Sequence, residues 1–223
     1  NEDGSLTART SVFEVGVGTY TLIQQSVAEE MEVPLSSVHV VPFGTDEMFD
    51  DLFDFGMGGS RGSMVAPQAA IKATRDVKNN LKKLASEFNG WDQDFVEYEA
   101  GDLINTRTQE KVHMKELVKR SGEPILGRNF DPEEGLSPVT SFVAQVAEVE
   151  IDPDTGQVKV LKITAAHDVG KILNPVGFHG QVEGGMVQAL GHAVMEDLNV
   201  DEGGRISNPS LADYKIPTER DLP

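Results

Sequence analysis

Two glycine turns, each standing just ahead of a helical repeat, constrain this chain more than any other feature. The first is Gly16-Val17-Gly18 and the second is Gly58-Gly59-Ser60-Arg61-Gly62-Ser63. Glycine lets a backbone turn sharply and come close to a bound group. After the second turn, Ala66, Ala70, Ala73, Val77, Leu81, Leu84 and Phe88 share one stripe of a 3.6-residue repeat, which predicts a long amphipathic helix. Unpaired N–H groups at a helix start, with the dipole behind them, favour a phosphate or similar anion. Ser60, Arg61 and Ser63 add further donors. The same six residues also read as a tight turn before a capped helix. No Gly-Lys-Ser/Thr follows the glycines, so the loop does not match a nucleoside-triphosphate site.

The rest of the chain alternates strand and helix signals. Leu6, Ala8 and Val12 alternate with polar neighbours, which predicts a strand to about Val15. Thr19 is placed to cap a helix from Tyr20 to Met31, with Ile23, Val27 and Met31 on its inner face. Pro34 ends that helix, and Val38, Val40 and Val41 predict a second strand. A hairpin over Phe95–Ile104 turning at Ala100-Gly101-Asp102, and a short helix over Met114–Lys119, come next. Residues 121–141 lack periodicity and read as a linker between a first half, 1–120, and a second, 142–223. In the second half, Phe142–Ile151 and Gln157–His167 form a predicted hairpin around Asp152-Pro153-Asp154-Thr155-Gly156.

Asn174-Pro175 then opens a helix, with Val182, Met186, Leu190 and Val194 expected to face the core. Gln181, Gly184, Gly185 and Gln188 share a neighbouring face that either another backbone or a ligand could approach. Four glycines in this helix cost about 1 kcal/mol each relative to alanine, which argues that the bare backbone is needed for contact. Residue by residue, the chain reads as an α+β domain that cradles an anion.

Several functions are excluded. A formal charge of −18 is unsuited to nucleic acid or an acidic membrane, and no apolar run approaches spanning length. The absence of cysteine removes disulfides, zinc-thiolate sites and cysteine-ligated iron–sulfur clusters from this chain. No nucleophile motif or His-Glu-x-x-His pattern occurs. His167 and Asp168 are adjacent on a strand and so point to opposite faces. His179 and His192 read as surface residues. The acidic, phenylalanine-rich run between Gly44 and Gly56 fits no calcium loop and reads as a solvated loop that could wall a pocket.

Taken together, five segments resemble the C-terminal molybdenum-cofactor domain of the xanthine dehydrogenase/aldehyde oxidase family. They are Glu14–Thr21, Gly58–Ser63, Asp168-Val169-Gly170 with Asn174-Pro175, Gln181–Gln188, and Asp213-Tyr214-Lys215-Ile216-Pro217-Thr218. Their order and spacing carry the match over nearly the whole chain. The resemblance implies an α+β molybdopterin-binding fold of two similar halves. It implies that Gly16, Val17 and Gly18, the loop Gly59, Ser60, Arg61, Gly62 and Ser63, and Gln181 hold the pterin and its phosphate. It assigns no metal ligand to the protein, since the dithiolene of the cofactor holds molybdenum.

The activity so implied is oxidative hydroxylation of an aldehyde or an N-heterocycle such as a purine, with water as the oxygen source. Iron–sulfur clusters and FAD are expected on other domains or subunits, together with the remaining half of the molybdenum region. A cytoplasmic setting is expected, and a homo-oligomer is left open. Two departures stand out. The family pattern reads Gly-Gln-Gly where this chain has Gly16-Val17-Gly18, and the acidic run replaces a shorter approach to the anion loop. The family's catalytic glutamate belongs to a Gly-x-Gly-Glu motif expected beyond Pro223, so this chain by itself is expected to be inactive. The alternative is a non-catalytic structural or assembly domain of the same family.

Overall fold

The computed structural model describes residues 1–44, 56–129 and 140–223. The acidic run at 45–55 and the central part of the expected linker, 130–139, lie outside the described residues. The chain divides into two compact units, Asn1–Ser137 and Pro138–Pro223. Its mixture of helices with parallel and antiparallel strands is α+β, as expected.

In the first unit, β1 (Leu6–Thr10) pairs in parallel with β2 (Val38–Pro42), in the register Leu6↔Val38 to Thr10↔Pro42. Parallel neighbours need a crossover, and α1 (Thr19–Glu30) supplies it. The strand ends at Thr10, well short of Val15, because the chain curls at residues 11–18 to set up the helix start. A one-turn helix, α2 (Arg61–Met64), precedes α3 (Ala66–Asn89). The long helix stops at Gly90, whose φ of 67° is left-handed and whose successor Trp91 donates its N–H back to Ser86 O at 3.0 Å.

An antiparallel meander follows: β3 (Val96–Glu99), β4 (Asp102–Asn105) and β5 (Lys111–His113), leading into α4 (Met114–Ser121). The third strand is absent from the sequence reading because its three residues are too few for an alternation signal.

Two clusters form the core of this unit. Met31, Leu81, Ala85, Val96, Leu103, Val112, Met114, Leu117 and Val118 join α3, α4 and the meander. Ile23, Val27, Ala28, Val38 and Ala66 join α1, β2 and the start of α3. The Tyr98 hydroxyl crosses the larger cluster to donate to Met31 O at 2.7 Å.

The second unit is built on β6 (Phe142–Ile151) and β7 (Val158–Asp168), antiparallel with a bulge between Glu148 and Val149. Asp152 braces the connecting turn by accepting from the Asp154 and Thr155 N–H groups, and Gly156 adopts φ 73°. Helix α5 (Pro175–Val194) starts as expected, with Asn174 Oδ1 accepting from Gly177 N–H at 3.1 Å. Of its expected core stripe, Leu190 is buried and Val182 and Met186 are half-buried, but Val194 is 45% exposed. The helix ends there, and the chain turns into a segment held by Tyr214 Oη donating to Glu196 Oε2 at 2.7 Å. Strand β6 is exposed throughout, with Phe142, Val146 and Ile151 all more than half exposed, whereas Val160, Ile163, Ala165 and His167 of β7 are half-buried.

Leu81 is 2% exposed, so Leu81→Ala should cost about 3 kcal/mol in denaturant unfolding. Leu126→Ala, at a site 60% exposed, should stay within about 0.5 kcal/mol. Burial pushes the Tyr98 phenol up to about 12, against a smaller pull from Gly101. Its folded value lies above the unfolded one, so its contribution to stability is whole below pH of about 10 and is lost as pH climbs through about 12. The Tyr214 phenol is also raised, by its hydrogen bond to Glu196. A spectrophotometric titration should therefore show late ionisation from both, and Tyr98→Phe should remove only the phase near 12.

Candidate functional site

The first glycine loop is organised by the residue that precedes it. Gly18 stands at the N-cap of α1 with φ 84° and has no side chain to cap with, and Thr19 makes no capping bond. The capping acceptor is instead Glu14. One oxygen of its carboxylate accepts from Gly16 N–H at 2.7 Å and Gly18 N–H at 3.0 Å, and the other accepts from Tyr20 N–H at 3.1 Å. Burial pushes this carboxyl up, but the N–H groups of Tyr20, Gly18, Gly16 and Val17 outweigh it and hold the group below its ordinary value. Sequence reasoning named Thr19 as the cap because it looked only at the position next to the helix. The usable signal was a carboxylate two residues ahead of a Gly-x-Gly turn.

Thr19 has a different task. It is 1% exposed, and its hydroxyl lies 3.7 Å from Met57 Sδ, directly ahead of the second loop. A Cβ added to Gly62 would come within 2.9 Å of both Thr19 Oγ1 and Met57 Sδ. Contacts of that closeness mean that any side chain at position 62 would force Thr19 or Met57 to shift. The structure therefore brings Gly16–Gly18 and Gly59–Ser63 together, joined at Thr19 and Gly62.

The second loop does not run straight into the long helix. Gly59 and Ser60 take left-handed φ of 55° and 65°, and α2 makes a single turn before Val65 interrupts the path to α3. Arg61 N–H donates to Gly58 O, and the Ser63 and Met64 N–H groups return to Ser60 O. Among the described residues, the N–H groups of Gly59 and Ser60 and the hydroxyls of Ser60 and Ser63 have no hydrogen-bond partner. Added Cβ atoms at Gly16, Gly58 and Gly59 would meet nothing within 4 Å, so the backbone at these three glycines is uncovered among the described residues. Uncovered backbone beside such donors suits a phosphorylated ring. Val17 is 39% exposed and presents an isopropyl group.

Gln181 lies in the second unit, on α5, and is exposed. Its neighbours Gly180, Gly184 and Gly185 would each accept a Cβ with nothing within 4 Å. Helix packing thus does not account for those three glycines within the described residues. Gly191 differs, because a Cβ there would lie 2.6 Å from Pro217 Cδ. His167 and Asp168 pair with Val143 and Phe142 on opposite faces and form no couple. Buried His167 Nε2 has no partner among the described residues, and its ring meets Phe178 edge-on at 6.1 Å. His179 and His192 are exposed, as expected. Among the described residues no three metal-binding side chains cluster, and no helix is long and apolar enough to cross a membrane.

Gly62→Ala should destabilise the first unit by about 1–3 kcal/mol, because buried Thr19 cannot withdraw, whereas Gly58→Ala should be nearly neutral in the same unfolding assay. The depressed Glu14 carboxyl stabilises the fold above the ordinary glutamate value, and that contribution is lost as pH falls through its folded value. The stability gap between the wild type and Glu14→Gln should accordingly close on acidification.

The molybdopterin cofactor-binding domain family matches residues 1–223. The chain is 28% identical over 229 residues to the 6-hydroxypseudooxynicotine dehydrogenase complex subunit gamma of Paenarthrobacter nicotinovorans, spanning 99% of this chain and 28% of that relative. It is 30% identical over 230 residues to the putative xanthine dehydrogenase molybdenum-binding subunit XdhA of Escherichia coli K12, spanning 100% of this chain and 30% of the relative. The structure of quinoline 2-oxidoreductase from Pseudomonas putida 86 superposes with a TM-score of 0.81 at 26% identity, over 100% of this chain and 29% of that one. The chain thus spans less than a third of the length of the relatives it matches. With the family's pattern matched from end to end, the chain belongs to the molybdopterin cofactor-binding domain family of molybdenum-dependent oxidoreductases.

Proposed function

We propose that this chain contributes the cofactor contacts of a molybdenum hydroxylase acting on an aldehyde or an N-heterocycle. The observation that carries the reading is the junction of two glycine loops at Thr19 and Gly62, with donors on the second loop that have no partner among the described residues. Gly59, Ser60, Gly62 and Ser63 would hold the phosphate through N–H and hydroxyl groups, with Arg61 adding positive charge. Gly16, Val17 and Gly18 would wall the ring, and Gln181 would add an amide contact. The cofactor, when bound, supplies the two-electron redox centre for hydroxylation with oxygen from water. The residues of this chain bind and orient it; none of those named is a proton-transfer group. The base is proposed to come from another part of the enzyme, and on that reading the chain alone should not turn over an aldehyde or a purine.

Iron–sulfur and flavin domains or subunits, and the other half of the molybdenum region, are the proposed partners, in a cytoplasmic assembly. The exposed apolar residues Phe142, Val146 and Ile151 of β6 support a partner, because a two-stranded hairpin is marginal by itself. A second reading, a family member kept for assembly alone, draws on Val17, whose side chain cannot hydrogen-bond where the family pattern has glutamine.

Purified from cells that make the cofactor, the intact protein should carry about one pterin and one molybdenum per chain, and Ser60→Ala combined with Arg61→Ala should lower that loading at least tenfold. Absence of pterin from both the wild type and a Val17→Gln variant would favour the assembly reading instead.

A further inference from the structure

We infer that Glu14 is a positioning residue that closes the start of α1 to ligand anions, so that any bound phosphate must go to the second loop and the first loop meets its ligand through Val17. The inference rests on the cofactor-binding reading for its biological meaning, but the geometry stands by itself. A Gly-x-Gly turn ahead of a twelve-residue helix would ordinarily offer its N–H groups and the positive end of the dipole to an anion. Here three of those donors, the N–H groups of Gly16, Gly18 and Tyr20, are already used. The Glu14 carboxylate spans the turn, with 2.7, 3.0 and 3.1 Å bonds from Gly16, Gly18 and Tyr20. It supplies a full negative charge at the position where a ligand phosphate would have to sit. A second anion there would lose the donors and meet like-charge repulsion.

The consequence is a division of labour between two loops that touch at Thr19 and Gly62. Gly59 and Ser60 keep N–H groups without partners among the described residues, and these are available to an anion. The first loop keeps its left-handed glycines, at φ 95° and 84°, and presents Val17 between them. Fixing three N–H groups on one internal carboxylate sets the direction of that side chain. The site therefore favours an uncharged, weakly polar edge of the ligand beside Val17 and its anionic end beside Ser60.

The test uses the intact protein labelled with nitrogen-15 at glycine, serine and tyrosine, with inorganic phosphate as the probe. In the wild type, phosphate should move the amide signals of Gly59, Ser60 and Gly62 and leave those of Gly16, Gly18 and Tyr20 in place. In Glu14→Ala, the Gly16 and Gly18 amides should exchange with solvent at least tenfold faster and should now respond to phosphate. Glu14→Gln, which keeps an acceptor oxygen, should restore much of the protection against exchange. A phosphate response at Gly16 or Gly18 in the wild type would overturn the inference without recourse to any variant. So would unchanged amide exchange in a folded Glu14→Ala protein. Silence at Gly59, Ser60 and Gly62, with the Glu14 effects as expected, would instead sink the cofactor-binding reading and leave the role of Glu14 intact.

Discussion

The contact between Gly62 and Thr19 is the constraint on which the site depends. A side chain at position 62 would force its neighbours to shift, since an added Cβ would lie 2.9 Å from a hydroxyl that is itself buried. That closeness ties the start of α1 to the loop ahead of α3, and both helices are anchored in the core through Ile23, Val27 and Ala66. Two loops that would otherwise move separately are therefore held by packing rather than by their own bonds. Rigid elements place groups more reliably than free loops do, because less ordering remains to be done when a ligand arrives.

Glu14 works on the same site by a different force. Its carboxylate fixes the turn electrostatically and uses the donors that make a helix start attractive to anions. The second loop offers the complementary arrangement, with left-handed backbone at Gly59 and Ser60 and donors that have no partner among the described residues. A non-glycine residue in the left-handed region is uncommon, and Ser60 adopts it at φ 65° immediately ahead of α2. Packing joins the loops, and charge makes them unlike.

Much of the fold was legible in the sequence because its elements are long and periodic. The stripe from Ala66 to Phe88 became α3, the Asn174-Pro175 signal became a working cap, and the Asp152–Gly156 turn joined two strands where it was expected to. The failures share a cause. The three-residue β5 is too short to alternate, and the end of β1 at Thr10 reflects the demands of the turn after it rather than its own hydrophobic pattern. Val194 fits the repeat of α5 but sits at the helix end, where there is nothing to pack on. The two glycine turns are visible as motifs in the sequence, whereas the capping role that position suggests for Thr19 falls to Glu14. Proximity along the chain favoured Thr19 as the cap, and only coordinates reveal that its hydroxyl turns inward to Met57.

The most direct test is a crystal structure of the intact protein with the pterin cofactor bound. The account predicts phosphate oxygens within about 3.2 Å of N–H or hydroxyl groups of Gly59–Ser63, Glu14 still bonded to Gly16 and Gly18, and Val17 against the ring system. A phosphate seated on the N–H groups of Gly16, Gly18 and Tyr20, with Glu14 swung away, would contradict it.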